Sequence, residues 1–365
     1  MVIFTSICTN YIHKARTLAE SVKTKIPDAT FVVCLVEREV SAHAVSPCFD
    51  RIVLAKDAWD GNFDRFIFKH SIVEASTAVK GQFFRYLYEA FPEEDQFVYL
   101  DPDTYVYSDF IELRSLLRER PILLCPHLLK PGNIDMELSS TAHGVYNLGF
   151  LAVNRSDEAR RFINWWAERL YLYCYDDILK GVFTDQKWID LAPCFFNTTV
   201  FKHRGYDFAT WSLLNCEMEE KDGDVFVEGD PLRFIHYSGY GSVLNNCIEQ
   251  WLPKGEDHPF KKLHAAYSQL HDANDRDGIS KTNWTYAAYN SGERIDDKIR
   301  AKYRSDYDLM FSIENPFALS NHYFKRELNN GIAQKIGRTL AKMKHIIKTQ
   351  GFSVLIKKIV KKLFH

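Results

Sequence analysis

Two aspartates one residue apart, Asp101-Pro102-Asp103, stand directly after the apolar run Gln96-Phe97-Val98-Tyr99-Leu100. Carboxylates at i and i+2 just past a strand can face the same side and present a compact set of hard oxygen ligands, suited to Mn2+ or Mg2+ and to a bound diphosphate. An EF-hand reading fails, because Tyr105 and Val106 stand where that loop needs an oxygen ligand and a glycine. A turn carrying two solvated acids is the competing reading. Position favours the metal: the carboxyl end of a strand is where open α/β sheets bind ligands. Further on, Phe234-Ile235-His236-Tyr237-Ser238-Gly239-Tyr240 closes a strand on His236. A neutral imidazole there could complete the coordination of a borderline metal, and Gly239 would let backbone approach phosphate. A satisfied core histidine is the alternative.

The elements that must hold these residues follow from apolar spacing. Val2 to Cys8 reads as a buried first strand, Ala15-Leu18-Ala19-Val22 has helical spacing, and Thr30 to Val36 is a second apolar strand. That order indicates an α/β domain with a largely parallel sheet flanked by helices. Phe68 to Ala90 reads as one helix before the Asp101 strand. Pro121 to Pro126 is a short apolar run, and Lys130 to Tyr146 reads as a long irregular loop of functional kind. Asn147 to Val153 resumes a strand, and Ser156 to Tyr173 is a helix with an apolar face through Phe162, Trp165 and Leu170. Pro231 to Tyr237 is the last strand. Beyond Trp251 the pattern weakens, so the expected layout is a catalytic domain over 1–250, an irregular and partly helical appendage over 251–331, and a basic amphipathic tail over 332–365.

The 365 residues, 46% hydrophobic and 26% charged, are ordinary for a globular protein. The 14% aromatic share suits a cleft that stacks sugars or bases, and suits core packing equally well. Eight scattered cysteines form no C-x-x-C pair and read as free thiols of a reducing compartment. With neither a signal peptide nor a membrane span in the pattern, the expected location is cytoplasmic. Residues 332–365 carry nine Lys/Arg and no acid against a whole-chain charge of −2, so the rest of the chain is acidic and nucleic acid is not an expected partner. A basic amphipathic tail can lie on the anionic inner face of a membrane, or pack against an acidic domain.

The ordered combination Asn10-Tyr11, Arg85, Tyr99-Leu100-Asp101-Pro102-Asp103, Asn147-Leu148-Gly149, Asp185-Gln186 and His236-Tyr237-Ser238-Gly239 resembles the GT-A class of nucleotide-sugar glycosyltransferases. Within it, the resemblance is to the retaining enzymes of glycosyltransferase family eight and their bacterial relatives, over roughly the first two-thirds of the chain. It implies that Asp101, Asp103 and His236 bind a divalent metal, usually Mn2+, that bridges the diphosphate of a nucleotide-sugar donor, most often a UDP-sugar. It implies that Asn10 and Tyr11 line the nucleotide pocket and that Arg85, and with it Lys80, faces the donor; both read equally well as solvated helix positions. Asn147 would hydrogen-bond the donor sugar, and Asp185 and Gln186 would lie beneath its anomeric carbon, stabilising developing positive charge. Thr184-Asp185-Gln186 also reads as a helix N-cap before Lys187-Trp188-Ile189. Gly205 to Trp211 resembles an acceptor-side stretch of bacterial sugar transferases that has asparagine where Asp207 stands, with Trp211 stacking on a sugar or packing in the core. The family often continues from the glycine of the closing segment into a lysine, whereas Tyr240-Gly241-Ser242 follows Gly239 here. The implied activity is sugar transfer to a glycan or glycolipid hydroxyl, with retention, in surface polysaccharide or lipopolysaccharide synthesis. Two alternatives compete: a sugar nucleotidyltransferase, which would normally carry a glycine-rich loop after the first strand, and a non-enzymatic glycan- or membrane-binding adaptor.

Overall fold

The structure is a computed structural model, and it describes residues 1–254 and 257–327. It divides into two compact units, Met1–Ala287 and Ala288–His365. The basic tail expected over 332–365 lies outside the described residues.

Among the described residues of the first unit, a seven-stranded sheet has the order β8-β6-β7-β4-β1-β2-β3. Its strands are β1 Val2–Ile7, β2 Thr30–Leu35, β3 Arg51–Leu54, β4 Gln96–Leu100, β6 Ile122–Leu124, β7 Phe150–Asn154 and β8 Thr198–Val200. β1 pairs in parallel with β2 and β4, β2 with β3, and β6 with β8, while β7 runs antiparallel to both β4 and β6. The expectation of a mostly parallel, helix-flanked α/β sheet therefore holds, with one reversed strand at its middle. β1 is buried along its whole length because both faces are covered, which is why it reads as a largely apolar run, with Thr5 and Ser6 buried among its apolar residues. On one face Ile3 and Ile7 join Leu18 and Val22 of α1 (Ile12–Lys25). On the other Phe4 meets Phe83 and Phe84 at ring-centroid distances of 5.2 and 4.7 Å.

Three local readings are corrected. The stretch read as one helix from Phe68 to Ala90 is three: α2 Phe63–Phe68, α3 Ile72–Ala78 and α4 Lys80–Ala90. Ser71 starts α3 with a capping box, its hydroxyl accepting from Glu74 N while the Glu74 carboxylate takes the Ser71 amide. The stretch Lys130 to Tyr146 contains helix α5, Ile134–His143, capped by the Asn133 side chain. No residue of α5 is buried, so it has no apolar stripe by which to be read. In α6 (Asp157–Tyr173) the buried face runs through Phe162, Trp166 and Leu170, with Trp165 half-buried. Gly81 of α4 lets that helix approach α6 closely, since a Cβ there would lie 2.7 Å from the Ala167 Cα.

A second, three-stranded sheet decides the site. Its order is β9-β10-β5, from β9 Phe208–Ala209, β10 Phe234–His236 and β5 Thr104–Val106. The antiparallel register pairs His236 with Thr104, and the parallel register on the other side pairs His236 with Ala209. Residues 251–287, expected as the start of an appendage, fall inside the first compact unit. α8 (Pro259–Asn274) places Tyr267 in stacking contact with Tyr237, 4.0 Å between ring centroids. Trp284 donates its indole N–H to the Val36 carbonyl, at the end of β2.

In the second unit the described residues include helices α9 Asp297–Ser305 and α10 Tyr307–Ser312. Phe324 there meets Tyr303 edge-on at 5.6 Å and stacks on Tyr289 at 6.3 Å. No helix among the described residues is long and apolar enough to cross a membrane.

Candidate metal and diphosphate site

Asp101 directly follows β4, and the turn through Pro102 is closed by the Thr104 amide donating to the Asp101 carbonyl at 3.1 Å. The chain therefore leaves the large sheet and enters the small one across these two carboxylates. Because His236 pairs with Thr104, its ring lands beside them: Nε2 is 3.3 Å from Asp103 Oδ1 and 3.6 Å from Asp101 Oδ2. One ligand atom from each of Asp101, Asp103 and His236 lies within 4.8 Å of the others. Two carboxylates and an imidazole at this separation fit a divalent cation. The other histidine nitrogen, Nδ1, faces Asn147 Oδ1 at 3.2 Å and Asp207 Oδ1 at 3.6 Å, the arrangement that orients a metal-binding imidazole from behind.

Electrostatics sharpen the picture. Burial alone would lower the His236 pKa, but the carboxylates of Asp103 and Asp207, with Asp101 nearby, hold it at about 10. Burial pushes Asp103 up, yet His236 and Lys14 outweigh it and bring it to about 2. Asp207 is raised by burial to about 6 against the pull of His236. Its backbone sits at φ 52, in the left-handed region that Asp and Asn tolerate better than most side chains.

Lys80 opens α4 and is turned inward, 1% exposed. Its Nζ lies 2.9 Å from Asp185 Oδ2 and 3.4 Å from Asp101 Oδ1, donates to the Leu148 carbonyl at 3.0 Å, and sits 4.0 Å from the centre of the Tyr99 ring. Burial works against its charge, but Asp101 and Asp185 prevail and raise its pKa. Asp185 is shifted up by burial, with Lys80 opposing. The N-cap reading of Asp185 is corrected: the short 3₁₀ turn Lys187–Leu191 has no side-chain cap, because the carboxylate is drawn to Lys80 instead.

Asn147 and Gln186 build the same wall. The Asn147 amide faces His127 Nε2 at 3.2 Å, and its Oδ1 accepts from the Gly149 amide at 2.8 Å. Gln186 accepts from the Leu148 amide at 3.0 Å and donates to the His143 carbonyl at 3.2 Å, tying the end of α5 to the site. Gly149 is required by proximity, since a Cβ there would lie 2.4 Å from His236 Cε1. Gly239 adopts φ 73 in the turn that leads into α7 (Ser242–Trp251), a conformation that favours glycine.

A cleft of about 660 Å³ gathers Lys80, Asp101, Asp103, Asn147, Asp185, Gln186, His236 and Gly239. Trp211 lines it as well, edge-on to His236 at 5.9 Å, while Met136, Ser139 and His143 of α5 form part of its rim. Asn10 and Tyr11 lie in the 3₁₀ turn Thr9–Tyr11 after β1 and are not among the residues lining this cleft; Tyr11 is linked to it through Lys14, whose Nζ lies 4.5 Å from the Tyr11 ring centre and 3.6 Å from Asp103 Oδ2. Arg85 is not brought there. It donates to Asn164 Oδ1 and Gln82 Oε1 and lines a separate hollow beside Trp59 and Tyr171, because a residue five positions after Lys80 on one helix points to a different side. Sequence reasoning missed Lys14 and His127. The only available signal for Lys14 was its i+3 spacing from Tyr11.

No family model matches the chain. It is 29% identical over 169 residues, 44% of its length, to the uncharacterized protein YfnF of Bacillus subtilis, and 24% identical over 192 residues, 51% of its length, to the uncharacterized protein YfnD of the same organism. The chain spans 54% and 60% of the lengths of these two relatives. Among solved structures it is similar to a galactosyltransferase, LgtC, in complex with donor and acceptor sugar analogues, with 16% identity, coverage of 75% of this chain and 96% of that one, and a TM-score of 0.45. It is also similar to the glycosyltransferase GlyE of Streptococcus pneumoniae TIGR4, with 14% identity, coverage of 77% and 65%, and a TM-score of 0.42.

Proposed function

We propose that this chain is a metal-dependent GT-A glycosyltransferase that moves a sugar from a nucleotide-diphosphate donor to a hydroxyl of a glycan or glycolipid, with retention of configuration. The observation that carries the reading is the convergence of Asp101, Asp103 and His236 from two different sheets at the mouth of one cleft. The three would hold Mn2+ or Mg2+, and such an ion, when bound, neutralises the charge that develops on a departing diphosphate. Asn147 and Asp207 keep the His236 ring turned so that Nε2 faces the carboxylates. Lys80 pairs with Asp185 at the cleft wall, where a fixed carboxylate favours positive charge developing at an anomeric carbon. Gln186 braces the Asn147-Leu148-Gly149 turn, and Trp211 offers an aromatic face for a sugar ring. Arg85 has no part in donor binding in this reading. A UDP-sugar is the proposed donor, and a cytoplasmic setting with a surface-polysaccharide or lipopolysaccharide acceptor is the proposed context.

The test is a panel of UDP- and GDP-sugars incubated with the protein and Mn2+, with release of nucleoside diphosphate as the readout. Release with at least one donor, lost on chelation and in Asp103→Asn, is expected. A folded protein that neither binds nor cleaves any donor in Mn2+ would end the proposal, and an inverted product anomer by NMR would remove retention from it.

A further inference from the structure

The carboxylate cluster at the cleft carries one charged neighbour that the proposed machinery does not use. Lys14, in the first turn of α1, places Nζ 3.6 Å from Asp103 Oδ2, on the side of that aspartate away from His236 Nε2, which approaches Oδ1. Its side chain is 13% exposed, so it is neither a solvated surface lysine nor a sealed structural one. Lys80, on the other side of the cluster, is already committed to Asp185, Asp101 and a carbonyl.

A diphosphate brings two or more negative charges, and the residues beyond His236 offer it little. Ser238 to Trp251 contains no Lys or Arg and one acid, Glu249. Gly239 gives close backbone approach but no countercharge. A divalent ion engaging Asp103 would also withdraw that carboxylate from Lys14 and leave the ammonium facing another cation. An anion that spans both positive centres resolves that conflict.

We propose that Lys14 is a diphosphate-binding residue at the edge of this cleft, contacting the phosphate oxygens of the nucleotide donor beside the cation cluster, with its ammonium also 4.5 Å from the centre of the Tyr11 ring. The inference rests on the proposed donor chemistry and names the residue that supplies the charge missing from the closing segment. Lys14 plays opposite parts in two states. Without the anion it repels a cation approaching Asp103; with the anion it adds a charge-assisted contact.

That opposition makes the test. Binding of MnCl2 alone, and of inorganic pyrophosphate and UDP in the presence of Mn2+, is measured by calorimetry for the wild type, Lys14→Ala and Lys14→Arg. Lys14→Ala is expected to weaken pyrophosphate and UDP about tenfold to a hundredfold, the usual worth of a hydrogen bond to a charged group. Its affinity for Mn2+ alone should stay equal or rise, and Lys14→Arg should recover most of the loss. If Lys14→Ala weakens Mn2+ alone and Mn2+ with pyrophosphate by the same factor, Lys14 only orients Asp103 and the proposal fails. Unchanged pyrophosphate and UDP binding overturns it as well. A wild type that binds neither metal nor diphosphate would instead bring down the donor reading of the whole cleft, and this inference with it.

Discussion

Replacing Lys80 by methionine keeps an unbranched apolar side chain one atom shorter and removes the charge, leaving Asp185, 2% exposed, without a cation at 2.9 Å. At an effective dielectric of about 20, the attractions of Lys80 to Asp185 and Asp101 are roughly 6 and roughly 5 kcal/mol before desolvation. Desolvation of the buried ammonium offsets much of that, so the net loss on breaking the pair is about 3–5 kcal/mol. The loss depends on pH in a direction that can be worked out. Burial already raises the Asp185 pKa, and without Lys80 the largest influence opposing the rise is gone, leaving a backbone hydrogen bond against it, so the folded variant holds more of a proton that the unfolded chain releases near pH 4. A carboxyl with a raised folded pKa contributes stability at low pH that disappears as pH climbs through that pKa. The deficit of Lys80→Met should therefore be largest at pH 8 and shrink toward pH 5. Urea unfolding followed by tryptophan fluorescence reports the first unit specifically, since all seven tryptophans lie between Met1 and Ala287. The double variant Lys80→Met/Asp185→Asn should be more stable than the sum of the single losses by about 2 kcal/mol or more. A Lys80→Met protein within 1 kcal/mol of wild type at pH 8, or strict additivity in the cycle, would refute the assignment of this pair as a buried, charged unit (both thresholds being roughly the error of such cycles).

Gly149→Ala puts a methyl 2.4 Å from the His236 ring and 2.6 Å from Asn147 Oδ1, so the protein should fold with a loss of about 1–3 kcal/mol while its Mn2+ affinity falls at least about tenfold. Electron paramagnetic resonance of free Mn2+ measures this, and an unchanged affinity would mean that His236 is not a ligand. His13 and His127 are both held neutral chiefly by burial, each with a pKa of about 4. The unfolded chain protonates these groups near pH 6.5, so stability is lost as pH falls from about 6.5 to about 4, by up to roughly 3 kcal/mol per histidine. A His13→Gln/His127→Gln variant should show a flatter midpoint-versus-pH curve across that window, and a curve parallel to wild type would contradict it.

The sequence by itself determined a good deal. Short, largely apolar runs at β1, β2 and β4, rich in β-branched and aromatic residues, read as strands covered on both faces, so the class of fold, and the placement of Asp101 and Asp103 at a strand's carboxyl end, were readable from residue order. Local signals sufficed for α6, whose Ser156 cap accepts from the Ala159 amide. They failed for α5, which buries nothing and so shows no periodicity, and for the break before α4, where the inward turn of Lys80 depends on carboxylates far along the chain. Tertiary structure alone decided which side chains meet. The pairing of His236 with Thr104 bridges 132 positions of sequence and is fixed by sheet register, which no local pattern encodes. Arg85 shows the converse: a residue on the right helix points to a different hollow, because direction around a helix axis is settled by packing against α6 and not by proximity in the chain.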